Sequence, residues 1–446
     1  TMKAQKLRRR LLVLMVLLAL LWGGYRFYLF PRLNIINGYT AKIACSCTFV
    51  SQLPDSLIRQ QDLGYFPISL ADYEVNRSAQ QVVATTFGLR PRKAQYRPGY
   101  GCTLLPEGTA RASGLPAKSI LPRPPQNGSI QKAPSEELQA WMEAGFAEDL
   151  PAGKRYTRAL LVMQDGDILA EQYAQGAGPH TPLLGWSMSK SVTAILGGMA
   201  ARREWWALEE DHLLPRWEED KRARIRLADL LYMNSGLRWT EDYSNISTAT
   251  LMLYARDSMG VFTARQPAEY DPGTHWEYSS GTTNLLAYLL ARRGAGRHRA
   301  LLDTLRRKLS LPQLYIEPDA AGFWVGSSYA YATAREWGKL GQLMLQEGHW
   351  QGDTLLPRSW YQAMRQPAPQ SDGDYGGQIW LNRGKQLEGL PEEVFFFDGY
   401  HGQRVFILPA QQAVVVRLGT TYDPDQLDFA ARLRNLTEIL AAPAGH

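Results

Sequence analysis

The longest apolar run in the chain is LLVLMVLLALLWGGY at residues 11–25, which resumes as FYLF after Arg26. Counted through Phe30 it supplies about twenty residues, enough for a helix to cross a hydrocarbon core of about 30 Å. Arg26 lies one turn from the end, where its head can snorkel to the interface. Past this run the pattern changes. KIACSCTFVS (42–51) reads as a strand, and RPRKAQYRPGYGC (90–102) as turns and short extended pieces. Residues 111–135 are rich in Pro, Gly and Ser, which marks a linker or wrap-around loop. From 136 onward the periodicity is strong. ELQAWMEAGFA predicts a helix, and YTRALLVMQDGDILAEQYAQG predicts two strands joined by a hairpin turn at Asp165-Gly166. Helical patterns dominate 187–350. Strands return with QIWL, VFFF, RVFILP and AVVVRLG, and the amphipathic DPDQLDFAARLRNLTEILAA closes the chain. Strands at both ends with helices between predict an α+β fold. Its antiparallel sheet is built from the two ends, flanked by helices and joined by a helical subdomain.

Composition is ordinary for a globular chain: of 446 residues, 45% are hydrophobic and 21% charged. The net charge of +6 invites a nucleic-acid reading. Residues 1–32, however, hold seven cations (Lys3, Lys6, Arg8, Arg9, Arg10, Arg26, Arg32) and no acid, which leaves the rest close to neutral. A neutral body gains little from counterion release, so nucleic acid is not an expected partner. The same asymmetry is a topology signal. A basic cluster ahead of an apolar span predicts a cytoplasmic N-terminus and a body on the far side, in a bacterial chain the periplasm. A signal peptide would have a core of similar length, but LLWGGYRF offers poor residues for cleavage, so the expectation is a single-pass inner-membrane anchor. On that side of the membrane Cys102 could pair with Cys45 or with Cys47. Cys45–Cys102 is the candidate bond, and three buried thiols are the other outcome. The division expected is an anchor at 1–30, an extension and linker at 31–135, and one catalytic domain at 136–446.

The candidate chemistry centres on GWSMSKSVTAILGGMA (185–200). Ser187 and Lys190 form S-x-x-K, and positions i and i+3 share a helix face, so the amine can reach the hydroxyl. A serine opening a helix has an N–H free to point at a substrate oxyanion, and the apolar residues that follow predict a buried helix, which depresses a lysine pKa. S-x-x-K recurs by chance in a chain this long. Ser129 and Lys132 also match, but in the Pro-rich linker with no helix behind them. In DPGTHWEYSSGTTNLLAYLL (271–290), Tyr278 sits just before a helix cap at Ser279 or Ser280, placed to relay a proton. In FDGYHGQRVFILPAQQAVVVRLG (397–419), Gly402 would allow close approach of substrate to the backbone, and the N–H of Gln403 is the candidate second oxyanion donor. His401 could instead serve a Ser-His-Asp arrangement, but Gly185-Trp186-Ser187-Met188-Ser189 has Ser where a nucleophile elbow needs its second Gly. His180, His212, His275, His298, His349 and His446 show no metal-ligand spacing, and no phosphate or dinucleotide loop is present, so no cofactor or metal is implied.

Taken together, S-x-x-K, the Tyr278 motif and a Gly turn before a late strand resemble the serine β-lactamase and penicillin-binding-protein superfamily. Within it they resemble the class C-like hydrolases that include esterases and 6-aminohexanoate-dimer hydrolase. LLYMNSGLRWTEDY (230–243), YATAREWGKLGQLMLQEGHWQGDTLL (331–356) and YGGQIW (375–380) extend the likeness over roughly 137–442. The resemblance implies Ser187 as acylated nucleophile, Lys190 as its activator, and Tyr278 as the acid for the leaving group and later the base for water. Ser280 takes the place of an Asn. Tyr400-His401-Gly402 aligns with a K-T-G-type triplet but lacks its Lys, which favours an ester or amide over penicillins and D-alanyl peptides. Tyr243 takes the position of a substrate-contacting loop Tyr. β-Lactamase or D-alanyl peptidase activity, and a silent penicillin-binding-like module, are the alternatives.

Overall fold

The computed structural model describes residues 2–109, 134–147, 149–151 and 153–441. Most of the Pro-rich segment, with Ser129 and Lys132, lies outside them. The chain opens with α1 (Met2–Gly23), a π turn at Gly24–Leu29, and α2 (Phe30–Phe49), which run on as one helical rod. Gln5–Phe49 is long and apolar enough to cross a membrane, with a mean hydropathy of 1.8 in its most apolar window and none of that window buried. A signal sequence shares those properties.

The strand expected at 42–51 is instead the C-terminal half of α2. Cys45, Cys47, Thr48, Phe49 and Val50 favour extended structure only weakly, and tertiary context overrides that preference. Every residue from Ile36 to Thr48 is buried. A helix enclosed on all sides has no polar face, so its sequence carries no amphipathic period to read. What encloses it is a meander of four antiparallel strands, β1 (Ala71–Asn76), β2 (Gln81–Thr86), β3 (Leu89–Arg97) and β4 (Gly101–Leu104), together with the catalytic part. Ile43, Tyr73, Val82 and Ala94 share one core with Trp186, Trp239, Leu253 and Val325.

Polar contacts fasten the same junction. The Asn37 amide donates to Leu89 O at 3.0 Å and Arg90 O at 2.7 Å. Lys42 and Glu317 form a fully buried ion pair, shared by Ser46, whose hydroxyl donates to Glu317 at 3.0 Å. Arg158 grips Asp62 through two bonds of 2.9 and 2.7 Å. Cys45 on α2 is bonded to Cys102 on β4, with Cα atoms 6.1 Å apart, and Cys47 is a buried free thiol.

The catalytic part begins with α3 (Glu136–Ala144), β5 (Thr157–Gln164) and β6 (Asp167–Tyr173). Asp165 and Gly166 both take positive φ in the tight turn between the two strands, and Gln164 pairs with Asp167. The helical middle carries α4 (Met188–Ala201), α5 (Ser280–Arg293) and α6 (Ala334–Leu345). Then come β7 (Trp380–Leu381), β8 (Phe395–Gly399), β9 (Gln403–Leu408), β10 (Ala413–Gly419) and α7 (Phe429–Ala441). The sheet is antiparallel, in the order β7-β8-β9-β10-β5-β6, so the two ends of the catalytic part meet where β10 pairs with β5.

The period-2 alternation of strands sorts the residues. Leu161, Met163, Val405, Val414 and Val416 face the core under α4 and α6, whereas Leu160, Val162, Phe406 and Val415 face Trp141 of α3 and Leu433 of α7. This is the β-lactamase-like α+β arrangement expected, and it sets the start of α4 beside the end of β8.

Candidate active site

Ser187 caps the N-terminus of α4 with helical φ and ψ, while Trp186 before it holds a positive φ of 47°. That left-handed step costs strain for a large side chain and is held in place by packing on all sides. Trp186 stacks on Tyr39 of α2 at 6.0 Å and meets Tyr400 edge-on at 5.6 Å. Ser187 itself is only partly buried, whereas the rest of the first turns of α4 is enclosed.

Lys190 is 1% exposed, and its Nζ donates to Ser187 Oγ at 2.9 Å, Ser280 Oγ at 3.0 Å and the Ser327 carbonyl at 3.3 Å. Burial lowers its pKa to about 8, against the opposing pull of Glu241 and Asp398. The amine is thus poised near neutrality with the Ser187 hydroxyl in direct contact.

Tyr278 completes the cluster. Its ring centroid lies 4.6 Å from Lys190 Nζ, and Ser187 is a hydrogen-bonding neighbour of its hydroxyl. Burial, with the nearby Tyr375, Asp398 and Glu241, pushes its pKa well above the ordinary phenol value, so it carries its proton at neutral pH. Tyr375 and Trp380, from the YGGQIW stretch, pack on this ring at 5.7 and 5.5 Å.

Ser279 is the N-cap of α5, and its hydroxyl accepts from the Thr282 N–H. Ser280 is therefore the first residue inside the helix, facing Lys190. Its backbone N–H donates to Glu241 at 2.9 Å, and its hydroxyl makes a second, short bond to the same carboxylate. Glu241 also accepts from Tyr243 Oη at 2.6 Å and from Trp239 Nε1 at 2.5 Å. Tyr243 Oη lies 3.2 Å from Ser280 Oγ, and its ring lies 5.4 Å from that of Tyr400. Glu241 is thus the hub of a chain running Tyr243–Glu241–Ser280–Lys190. Sequence reasoning passed over it, although it stands two residues before Tyr243 in a stretch singled out as family-like. An acidic residue in a loop carries no periodic signal of burial.

Gly399, at the end of β8, comes close to the segment that carries Ser187. A Cβ on Gly399 would stand 2.2 Å from the Gly185 carbonyl oxygen, so the end of β8 runs directly against the segment carrying Ser187. Gly402, with φ of 81°, faces Leu427 and Arg417 instead. Gln403 pairs with Gly399 in the ladder, and its side-chain Oε1 accepts from the Gly419 N–H at 3.0 Å. His401 stacks on Tyr400 at 3.9 Å and lines a small internal cavity with Asp62 and Arg158. Burial and the neighbouring Arg417 and Arg158 lower its pKa to about 3. An imidazole so reluctant to take a proton is unsuited to the base role of a Ser-His-Asp arrangement.

The extension contributes to the site through Tyr39 and Tyr65. With Trp186, Tyr243, Tyr254 and Tyr400 they line a cavity of about 630 Å³ between α2 and the catalytic part. Nothing in residues 31–110, read alone, connects them to the S-x-x-K motif.

The fold has counterparts among known proteins. The Beta-lactamase family model matches residues 141–438. The chain is 25% identical over 299 residues to the 6-aminohexanoate-dimer hydrolase of Paenarthrobacter ureafaciens, covering 60% of this chain and 74% of that protein. Among solved structures, a penicillin-binding protein homologue from Caulobacter crescentus superposes with a TM-score of 0.54 at 15% identity, over 69% of this chain and 99% of the other. EstCE1, described as a hydrolase with promiscuous acyltransferase activity, gives a TM-score of 0.54 at 14% identity, over 69% of this chain and 98% of the other.

Proposed function

This chain belongs to the beta-lactamase family, and from that premise we propose that it is a serine hydrolase that cleaves an ester or amide through an acyl-enzyme on Ser187. The contact between a buried, pKa-depressed Lys190 and Ser187 Oγ at 2.9 Å carries this reading.

In its neutral form Lys190 Nζ takes the Ser187 proton as Oγ attacks the substrate carbonyl carbon. The tetrahedral oxyanion is held by backbone N–H groups at the start of α4. The Ser187 N–H is one donor. The second is the Tyr400 N–H rather than that of Gln403, because the Gly399–Tyr400 backbone is the part of the late strand pair lying against Gly185. Tyr278 gives its phenolic proton to the departing oxygen or nitrogen as the C–O or C–N bond breaks, and recovers a proton from the Lys190 ammonium nearby. In deacylation the same groups act in reverse: a water loses its proton through the Tyr278 hydroxyl to the neutral Lys190 amine, attacks the acyl carbon, and the proton passes on to Ser187 Oγ as it leaves. Tyr243, Tyr400 and Trp186 form the wall against which the acyl or leaving group rests. No cation takes the place of the triplet lysine among these residues, since Arg404 is paired with Asp398. That supports an ester or amide substrate over one recognised through a carboxylate.

The N-terminal rod is proposed as a single-pass anchor with the basic cluster in the cytoplasm and the catalytic part in the periplasm. The Cys45–Cys102 bond supports an oxidising compartment.

The test is covalent labelling. The protein is incubated with a fluorophosphonate, and its intact mass is measured. One adduct is expected on the wild type and none on Ser187→Ala, with labelling slowed at least 100-fold in Lys190→Ala. A wild type that takes no label, or a Lys190→Ala variant labelled at full rate, overturns the mechanism. A panel of short nitrophenyl esters, a cephalosporin, D-alanyl peptides and linear amide oligomers then ranks substrates.

A further inference from the structure

The 630 Å³ cavity lies within the roughly 300–1,000 Å³ typical of ligand sites. One end is formed by Trp186, the residue before Ser187, by Tyr243, which bonds Ser280, and by Tyr400, which packs edge-on on Trp186. The other end is formed by Tyr28, Leu29 and Leu33 of the N-terminal rod, with Phe66 and Phe87 from two loops of the extension. Between them the wall is mostly aliphatic and aromatic, including Ile36 and Ile68, with Thr86, Ser244, Asn245 and Thr250 as its polar part.

Two features set this mouth apart. Phe66 and Phe87 are each 78% exposed, an unusual state for phenylalanine on a protein that meets only water. The mouth is also continuous with the bare helix: Leu20, Leu21, Trp22, Phe27, Tyr28 and Leu29 are all exposed. Trp and Tyr at one end of an apolar span mark the membrane interface, and Arg26 and Arg32 stand at the same level, Arg32 lying 3.8 Å over the Tyr28 ring. An apolar surface thus runs from the exposed N-terminal helix, past two projecting phenylalanines, into a cavity whose inner wall includes Trp186, the residue that precedes Ser187.

We propose that the substrate is a carboxylic ester or amide of a long apolar acyl chain, drawn from the bilayer in which the rod sits. The chain lies in the cavity lined by Leu33 and Ile36, and its carbonyl reaches Ser187. This rests on the serine-hydrolase reading and adds the substrate class and its direction of entry. The bond broken is the acyl C–O or C–N bond. The acyl carbon passes to Ser187 Oγ and then to water, so the products are a long-chain acid and the released alcohol or amine.

The test uses the full chain in detergent and in phosphatidylcholine vesicles, with nitrophenyl esters of two to twelve carbons kept below their aggregation limits. kcat/KM is expected to rise roughly 3-fold per added methylene until the cavity is full. Ile36→Trp, which fills the cavity, is expected to lower the ratio of ten-carbon to two-carbon kcat/KM at least tenfold. Phe66→Ser/Phe87→Ser alters only exposed residues, so folding is not at risk. It is expected to lower the ratio of the rate on a vesicle-embedded long-chain ester to that on the soluble ten-carbon ester at least fivefold. A flat chain-length profile in a wild type that takes the fluorophosphonate label overturns this proposal and leaves the serine hydrolase standing. A chain-length rise with no vesicle preference and no response to the mouth variant overturns entry from the bilayer. A wild type that neither labels nor hydrolyses any ester sinks the underlying reading and this one with it.

Discussion

At the scale of single residues the site is governed by one amine and what holds its charge in check. Lys190 has lost its hydration to burial, which lowers its pKa to about 8, while Glu241 pulls the value back up through Ser280 and through space. A base must be neutral to accept the Ser187 proton, so kcat/KM is expected to fall tenfold per pH unit below about 8 and to level off above it. Glu241→Gln removes the charge that favours the ammonium. The acid limb should then move to lower pH, and kcat should drop by roughly tenfold as one charge-assisted bond in the Ser280 chain is lost. A pH–rate profile of this variant checks both, and an unmoved limb would mean that Glu241 acts only as a structural brace. Ser187, Lys190 and Tyr278 were legible because each sits at a helix start, where spacing alone fixes neighbours. Glu241 was not, because its partners come from a loop and from a helix about forty residues downstream.

At the scale of elements, α2 is the segment whose sequence misled. Cysteines, threonine and β-branched neighbours suggested a strand, yet the rod continues as helix because strands, loops and the catalytic part enclose it together. Its one internal cation, Lys42, is matched by Glu317 from the far side of the junction. Removing one partner of such a pair leaves the other charge buried and alone. Lys42→Met is therefore expected to lower unfolding free energy by about 3–5 kcal/mol in denaturant titration. A change below 1 kcal/mol would show that α2 does not depend on this pair. The β5–β6 hairpin is the opposite case. Asp165-Gly166 between two β-rich runs specified the turn, because a two-residue hairpin loop needs left-handed backbone that Asp and Gly adopt readily, and both take positive φ here.

At the scale of the whole molecule, the extension and the catalytic part share a hydrophobic core and are joined by buried ion pairs and a ring stack onto Trp186. A chain starting at residue 134 would expose Trp186, Trp239 and Val325 to water. It is expected to lose cooperative thermal unfolding and fluorophosphonate labelling, whereas removal of residues 1–29 alone should preserve both. A truncated protein that melts cooperatively and labels at full rate would make the extension dispensable.

The sequence by itself determined what rests on local spacing: the apolar span and its basic flank, the β-rich runs, the hairpin, and the Ser187–Lys190 pair one helical turn apart. Only the tertiary structure decided that 42–49 is helix, that Gly399 meets the Gly185 carbonyl, that His401 stacks on Tyr400 beside a small internal cavity, and that Tyr39 stacks on Trp186. The difference is physical. Backbone geometry fixes contacts between residues three or four apart, whereas a pair such as Lys42 and Glu317, 275 residues apart, exists only once the whole core has assembled.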